Sequence, residues 1–348
     1  MSRLPLSLAA VSAALLLGAC GQKTEAPAAT QTASEAAPAQ ACGRVRIANM
    51  TWQSAELLAN VDKLILSAGY GCDVELVAGD TMPTLTSMIE KGQPDIAPEA
   101  WVNAIREPLE NAVKEGRLQF AARSLPDGGV EGWWIPKHVA DAHPEIKTID
   151  DALKRPDLFP SVEAKGKGAV HNCPSGWSCQ ITTENAFKAW GAKDKGFVLV
   201  DTGSAAGLDG SIAKASERKE GWLGYYWAPT AILGKYEMVK LDAGVPHDKA
   251  AYEGCNTRAD CEKPAKTDWG HTDVYTVVTT DFKQRAGQAM DYLSVRGWSN
   301  DTVNRLLAWM GDNQATGEDG ARHFLRTQPE LWKTWVSPEV AARVEAAL

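Results

Sequence analysis

From Arg44 to Trp101 the chain alternates short β-branched runs with stretches of helical periodicity, and few folds accommodate that order. Val45–Asn49 reads as a strand. Leu57, Leu58, Val61, Leu64 and Ile65 then recur on one helix face until Gly69 ends the helix. Asp73–Val77 is a second strand, and Pro83–Lys91 a second helix closed by Gly92. Asp95–Ala97 is a third short strand, leading into Pro98-Glu99-Ala100-Trp101. A β-α-β-α-β order implies a parallel sheet with helices on both faces. Ligands on such sheets bind beyond the carboxyl ends of the strands, where Asn49–Trp52, Val77–Thr81 and Glu99–Trp101 are expected.

A second α/β unit follows. Thr148-Ile149-Asp150-Asp151 has the spacing of a capping box, and Thr183–Trp190 reads as a helix closed by Gly191. Phe197–Val200 and Leu223–Trp227 are strands, and Asp273–Phe282 is a third by its β-branched content. The remainder is mostly helical: Phe282–Arg296, Asp301–Met310, and a last helix capped by Ser337 with Pro338 at its first position.

The amino terminus gives the address. Leu4–Leu17 is apolar and follows Arg3, but it is shorter than the roughly 20 residues needed to cross a bilayer. It fits the apolar region of a secretory signal peptide. Its end, Leu17-Gly18-Ala19-Cys20, resembles the lipobox of bacterial lipoproteins, which implies removal of residues 1–19 and acylation of Cys20. Gly21–Ala41 carries no bulky apolar side chain that could offset the entropy of ordering, so it reads as a flexible tether. An extracytoplasmic, lipid-anchored body follows. Two α/β lobes on such a leash are the organisation of a periplasmic-binding-protein fold of type II, each lobe a mostly parallel sheet flanked by helices. The expected lobes are residues 42–141 with 265–348, and residues 142–264.

Lipidation of Cys20 leaves six cysteines in an oxidising compartment, an even set suited to three disulfides. Cys173/Cys179 and Cys255/Cys261 can each close a small local loop. Cys42 and Cys72 each precede a strand; if those strands are parallel neighbours, their starts lie about 5 Å apart, within disulfide reach. Zinc at His171, Cys173 and Cys179 is the competing reading, but the spacing matches no common zinc pattern.

The net charge of −8 argues against nucleic acid as a partner. No G-x-S-x-G elbow, H-E-x-x-H or P-loop is present, so no enzyme class is indicated, and no cofactor or metal is expected. What stands out is 13 Trp against 6 Phe and 7 Tyr. Trp298, Trp309, Trp332 and Trp335 fall in or beside the helical tail, where packing is their ordinary role. Trp101 follows the third strand, Trp177 sits inside Cys173-Pro-Ser-Gly-Trp-Ser-Cys179, and Trp227 lies in Gly224-Tyr-Tyr-Trp-Ala-Pro229. Indole faces attract cations through the ring quadrupole, which suits a trimethylammonium group that has no N–H to donate.

At these three segments, and over roughly Arg44 to the carboxyl terminus, the chain resembles the glycine betaine substrate-binding proteins of osmoprotectant ABC transporters (OpuAC-like). The resemblance implies that Trp101, Trp177 and Trp227 form a cage around a quaternary ammonium. It also implies that the backbone N–H groups of Ser178 and Cys179 bind the ligand carboxylate. Trp133 and Tyr226, with Tyr225, are further cage candidates; Glu99, Asp201 and Asp209 are carboxylates that could approach the cationic end. One departure is Ile105, where a relative has a histidine that helps to hold the carboxylate. Choline, carnitine, proline or another small amine are therefore alternative ligands. The resemblance further implies an ABC permease with its ATPase as partner, a membrane reached through the lipid anchor, and a monomer.

Overall fold

β1 (Arg44–Met50), β2 (Asp73–Gly79) and β3 (Ile96–Trp101) lie side by side and parallel, β1 between the other two, as the alternating pattern requires. The computed structural model describes residues 42–348; Leu4–Leu17, Cys20 and the tether lie outside the described residues. The remaining strands are β4 (Leu118–Pro136), β5 (Gly168–His171), β6 (Phe197–Val200), β7 (Gly224–Ala228), β8 (Met238–Lys240) and β9 (His271–Thr279). They join in the order β2-β1-β3-β9-β4-β7-β5-β6, with β8 also on β4.

The sheet has two halves linked through β4. Residues 118–130 of β4 pair with β9, which pairs in turn with β3; residues 130–136 pair with β7 and β8. The change of partner falls at Val130, which opposes both His271 and Ala228. Gly128, Gly129 and Gly132 surround it. β5, β6 and β7 repeat the parallel arrangement of the first half.

Several boundaries differ from the sequence reading. β3 runs on through Trp101 instead of stopping at Ala97, because β9 offers Tyr275 and Val274 as partners to Ala100 and Trp101. The helix after the cysteine loop starts at Ser178, not Thr183, with Trp177 in extended conformation as its N-cap. The strand expected to reach Phe282 ends at Thr279, whose hydroxyl accepts from the Phe282 N–H (3.2 Å) and starts a helix. The helix expected over Phe282–Arg296 is two helices, Thr280–Arg285 and Gln288–Val295, broken at Gly287 in the left-handed region (φ 53°). β4 carried no usable strand signal: Pro126-Asp127-Gly128-Gly129 is a run of breakers, and its register with β9 shifts three times.

Other expectations hold. The Thr148/Asp151 capping box forms, and Ser337 caps the last helix. The three disulfides are Cys42–Cys72, Cys173–Cys179 and Cys255–Cys261, and the first joins the starts of β1 and β2 at a Cα separation of 5.0 Å. Among the described residues no helix is long and apolar enough to cross a membrane.

One buried ion pair ties the carboxyl-terminal helices to the first half of the sheet. Arg296 donates to Asp62 Oδ2 (2.8 Å) and Tyr292 donates its hydroxyl to Oδ1 (2.6 Å); both charged side chains are wholly buried.

Candidate functional site

Four tryptophans from four segments close around one pocket: Trp52, Trp101, Trp177 and Trp227. Trp52 is the N-cap of the helix Gln53–Leu64, Trp101 ends β3, Trp177 caps the helix Ser178–Ala189, and Trp227 lies in β7. All four are buried. Trp177 meets Trp52 edge-on (centroids 5.3 Å, 72°) and Trp227 likewise (5.1 Å, 80°). Tyr225 stacks beside Trp227 at 6.2 Å. Thr81, Glu131, Ser178, Cys179 and Tyr225 complete a lining around about 290 Å³ of space, part of it open to solvent.

Three of the four indoles, those of Trp52, Trp101 and Trp177, are fixed by their N–H groups. Trp52 and Trp101 both donate to Glu99 Oε1 (2.7 and 3.1 Å), and Trp177 donates to Thr51 Oγ1 and Asp80 Oδ1 (2.9 and 3.0 Å). Thr51 in turn donates to the same Asp80 oxygen. With these N–H groups engaged, the ring faces are what remains to offer a ligand. Trp101 lies directly over Gly129, where a Cβ would stand 2.0 Å from the ring. Gly129→Ala is therefore expected to displace Trp101 and weaken ligand binding tenfold or more at little cost to folding. A titration of the purified variant checks this, and unchanged affinity contradicts the placement.

The pocket lining carries both an acidic side chain and groups that favour an anion. Glu131 is its one charged lining side chain; it accepts from Tyr225 (2.7 Å) and Thr272 (2.6 Å), and burial pushes its carboxyl above the usual range against those bonds. The same lining holds the N-termini of two helices, Thr81–Lys91 and Ser178–Ala189. The N–H groups of Thr81, Ser178 and Cys179 donate to no protein acceptor among the described residues. Free N–H groups at helix starts favour an anion.

Of the residues expected from sequence, the structure brings together Trp101, Trp177, Trp227, Ser178, Cys179 and Tyr225. It does not bring in Trp133 or Tyr226. Trp133 is wholly buried against Trp190 (6.4 Å) and absent from the lining. Tyr226 packs on Trp227 (4.6 Å) and donates to Asp209 (2.7 Å), in a neighbouring space also lined by Thr51 and Ala205. Burial raises that Asp209 carboxyl to about 6. Glu99 lies behind the indoles, and Asp201 caps an exposed turn through the Gly203 N–H (2.9 Å). Ile105 is buried and outside the lining. His171, once a zinc candidate, stacks on Trp222 at 5.0 Å, and burial lowers it to about 4.

Three lining residues were not singled out from sequence. Trp52 and Thr81 fall within the strand-end segments where ligands were expected, so topology already carried that signal. Glu131 sits in β4, which the run of breakers hides.

The sequence matches OpuAC, the substrate binding domain of ABC-type glycine betaine transport system, over residues 43–327. Among curated proteins no sequence matches significantly. Solved structures do. The glycine/betaine/L-proline-binding protein ProX from Borrelia burgdorferi is 20% identical with a TM-score of 0.68, covering 86% of this chain and 99% of that one. Lactococcal OpuAC in its closed-liganded conformation with glycine betaine is 17% identical with a TM-score of 0.64, covering 85% and 100%. An ABC-transporter choline binding protein in complex with choline is 18% identical with a TM-score of 0.68, covering 88% and 98%. At these identities the likeness is one of fold: the mixed α/β, two-lobed periplasmic-binding-protein architecture expected from the sequence.

Proposed function

The chain belongs to the family of substrate-binding domains of ABC-type glycine betaine transport systems, and on that premise we propose that it captures glycine betaine between two lobes and delivers it to an ABC permease. It is a substrate-binding protein for ligands of the glycine betaine and choline type. The observation that carries the finer reading is the pocket itself, which gathers four indoles, a carboxylate and free helix N–H groups in one lining.

A trimethylammonium fits the aromatic end. Each desolvated indole face contributes about 2 kcal/mol, so three or four supply roughly 6–8 kcal/mol before the costs of association. A micromolar complex needs about 8 kcal/mol net, so the anionic end must contribute as well. The free N–H groups of Ser178 and Cys179 take that part, with Thr81 from the facing helix. Thr81 stands in for the missing histidine at Ile105.

Lobe closure brings these ends together. We place the hinge at Gly128–Gly132, where β4 changes partner, and in the return passage just before β9. The first lobe then ends near Gly129 instead of at residue 141, and resumes near His271 instead of at 265. Trp52, Thr81 and Trp101 come from the first lobe; Trp177, Ser178, Cys179, Tyr225 and Trp227 come from the second. The Trp177 indole on Thr51 and Asp80 crosses the cleft, as does the Met82 N–H on Gly176 O (3.1 Å). A ligand touching both lobes favours this closed arrangement by its differential affinity. Acylated Cys20 holds the body to the membrane near its permease, and the protein acts as a monomer.

Choline is the second reading. Among the described residues the lining holds no cationic side chain to pair with a ligand carboxylate, which favours a ligand of net positive charge. Titration with glycine betaine and with choline tests the proposal through tryptophan emission and thermal stability. At 100 times Kd the ligand stabilises the folded protein by about 2.7 kcal/mol. Neither ligand altering emission or melting temperature contradicts it.

A further inference from the structure

Glu99 occupies a position where a strand normally presents an apolar side chain. It lies in the middle of β3, a strand buried along its whole length, and its own exposure is 0%. Burial raises its carboxyl above the usual range, and among the described residues no cation lies within ion-pair distance of it, the Arg296 guanidinium acting on it only from farther off. One of its oxygens does unusual duty: Oε1 accepts from Trp52 Nε1 (2.7 Å), Ser54 Oγ (2.8 Å) and Trp101 Nε1 (3.1 Å). The other, Oε2, is buried and has no partner among the described residues.

Two of those three donors are pocket walls, and they come from different elements. Trp101 shares Glu99's face of β3 two residues on, while Trp52 arrives from the turn that starts the helix Gln53–Leu64. An indole bound only by packing can rotate about two side-chain torsions. One whose N–H is anchored presents a fixed face. A single acceptor shared by two indoles fixes them relative to each other as well as to the backbone. A buried carboxyl is costly, and here its bonds go to the cage and to Ser54 beside it, without tying one half of the sheet to the other.

We infer that Glu99 is the positioning residue of the aromatic cage, holding the ring planes of Trp52 and Trp101 through Oε1 so that the ligand meets a preformed surface. This rests on the reading of the pocket as a quaternary-ammonium site. Glu99 itself does not touch the ligand. It acts through the two indoles.

Two variants separate an acceptor from a space-filler. Glu99→Gln keeps an oxygen for the indoles, and glycine betaine affinity is expected within about threefold of the unaltered protein. Glu99→Leu keeps the volume but strands both indole N–H groups, and affinity is expected to fall at least thirtyfold. Indole ¹⁵N–¹H spectra give a readout independent of affinity. The Trp52 and Trp101 signals should move in the leucine variant, and Trp177, anchored on Asp80, should stay. Leucine and glutamine variants that bind equally well, or equally poorly, overturn the inference. Should the leucine variant not fold, the unaltered protein still decides: ligand-free, its Trp52 and Trp101 indole protons should exchange slowly, and exchange at the rate of a free indole overturns it. Failure of the unaltered protein to bind glycine betaine or choline overturns the functional reading together with this one, whereas binding that Glu99→Leu leaves intact overturns this one alone.

Discussion

Trp177→Ala lowers the affinity for glycine betaine about a hundredfold or more while the protein stays folded. The side chain does two things at once. Its ring is the common neighbour of Trp52 and Trp227, so its removal opens the centre of the cage. Losing one desolvated indole face costs about 2 kcal/mol, more than a tenfold change in Kd. Its N–H also reaches Thr51 and Asp80 across the cleft. Hydrogen bonds to charged groups contribute about 1.5–3 kcal/mol, and under the proposed lobe closure this one is made only in the closed form. Together these terms exceed two powers of ten. Trp177→Phe separates them, because it restores much of the ring and none of the N–H. Isothermal titration of both variants is the measurement, and an alanine variant within twofold of the original removes Trp177 from the cage.

Asp62→Ala destabilises the protein by about 3–5 kcal/mol, the usual consequence of leaving one member of a buried ion pair alone. Arg296 would then be a wholly buried guanidinium without the carboxylate it pairs with directly, and Tyr292 would lose the acceptor for its hydroxyl. For a chain of this size the melting temperature falls on the order of 10 °C. Replacing both partners together, Asp62→Leu with Arg296→Met, is expected to cost less than the single change, since no charge is stranded. Denaturant unfolding in the absence of ligand gives the comparison. A loss below about 1 kcal/mol for Asp62→Ala means the pair is not buried as described.

These residues also show what the sequence could and could not convey. The parallel β1-β2-β3 arrangement was legible because periodicity, glycine closures and cysteine positions all pointed the same way. The three loop tryptophans were legible because proline, glycine or cysteine flanked each of them in segments expected at strand ends. β4 was not legible, since its strand character comes from β9, β7 and β8 and its own sequence argues for turns. Glu131 was hidden with it. Tyr226 alternates to the opposite face of β7 from the lining residues Tyr225 and Trp227, a matter of register that composition does not show, whereas Trp133 shares the face of Glu131 and Tyr225 but is wholly buried against Trp190. From sequence Glu99 reads as a carboxylate that could approach the cationic end of a ligand. Only the convergence of two indole N–H groups on one oxygen reveals what it holds.

Under the proposed function, indole faces select methylated ammonium. Calorimetric titration with glycine betaine, dimethylglycine and glycine tests it most directly, because the carboxylate stays constant while the methyl groups are removed. The expected result is binding of glycine betaine, weaker binding of dimethylglycine and no measurable heat with glycine. Glycine binding as tightly as glycine betaine would contradict the aromatic cage.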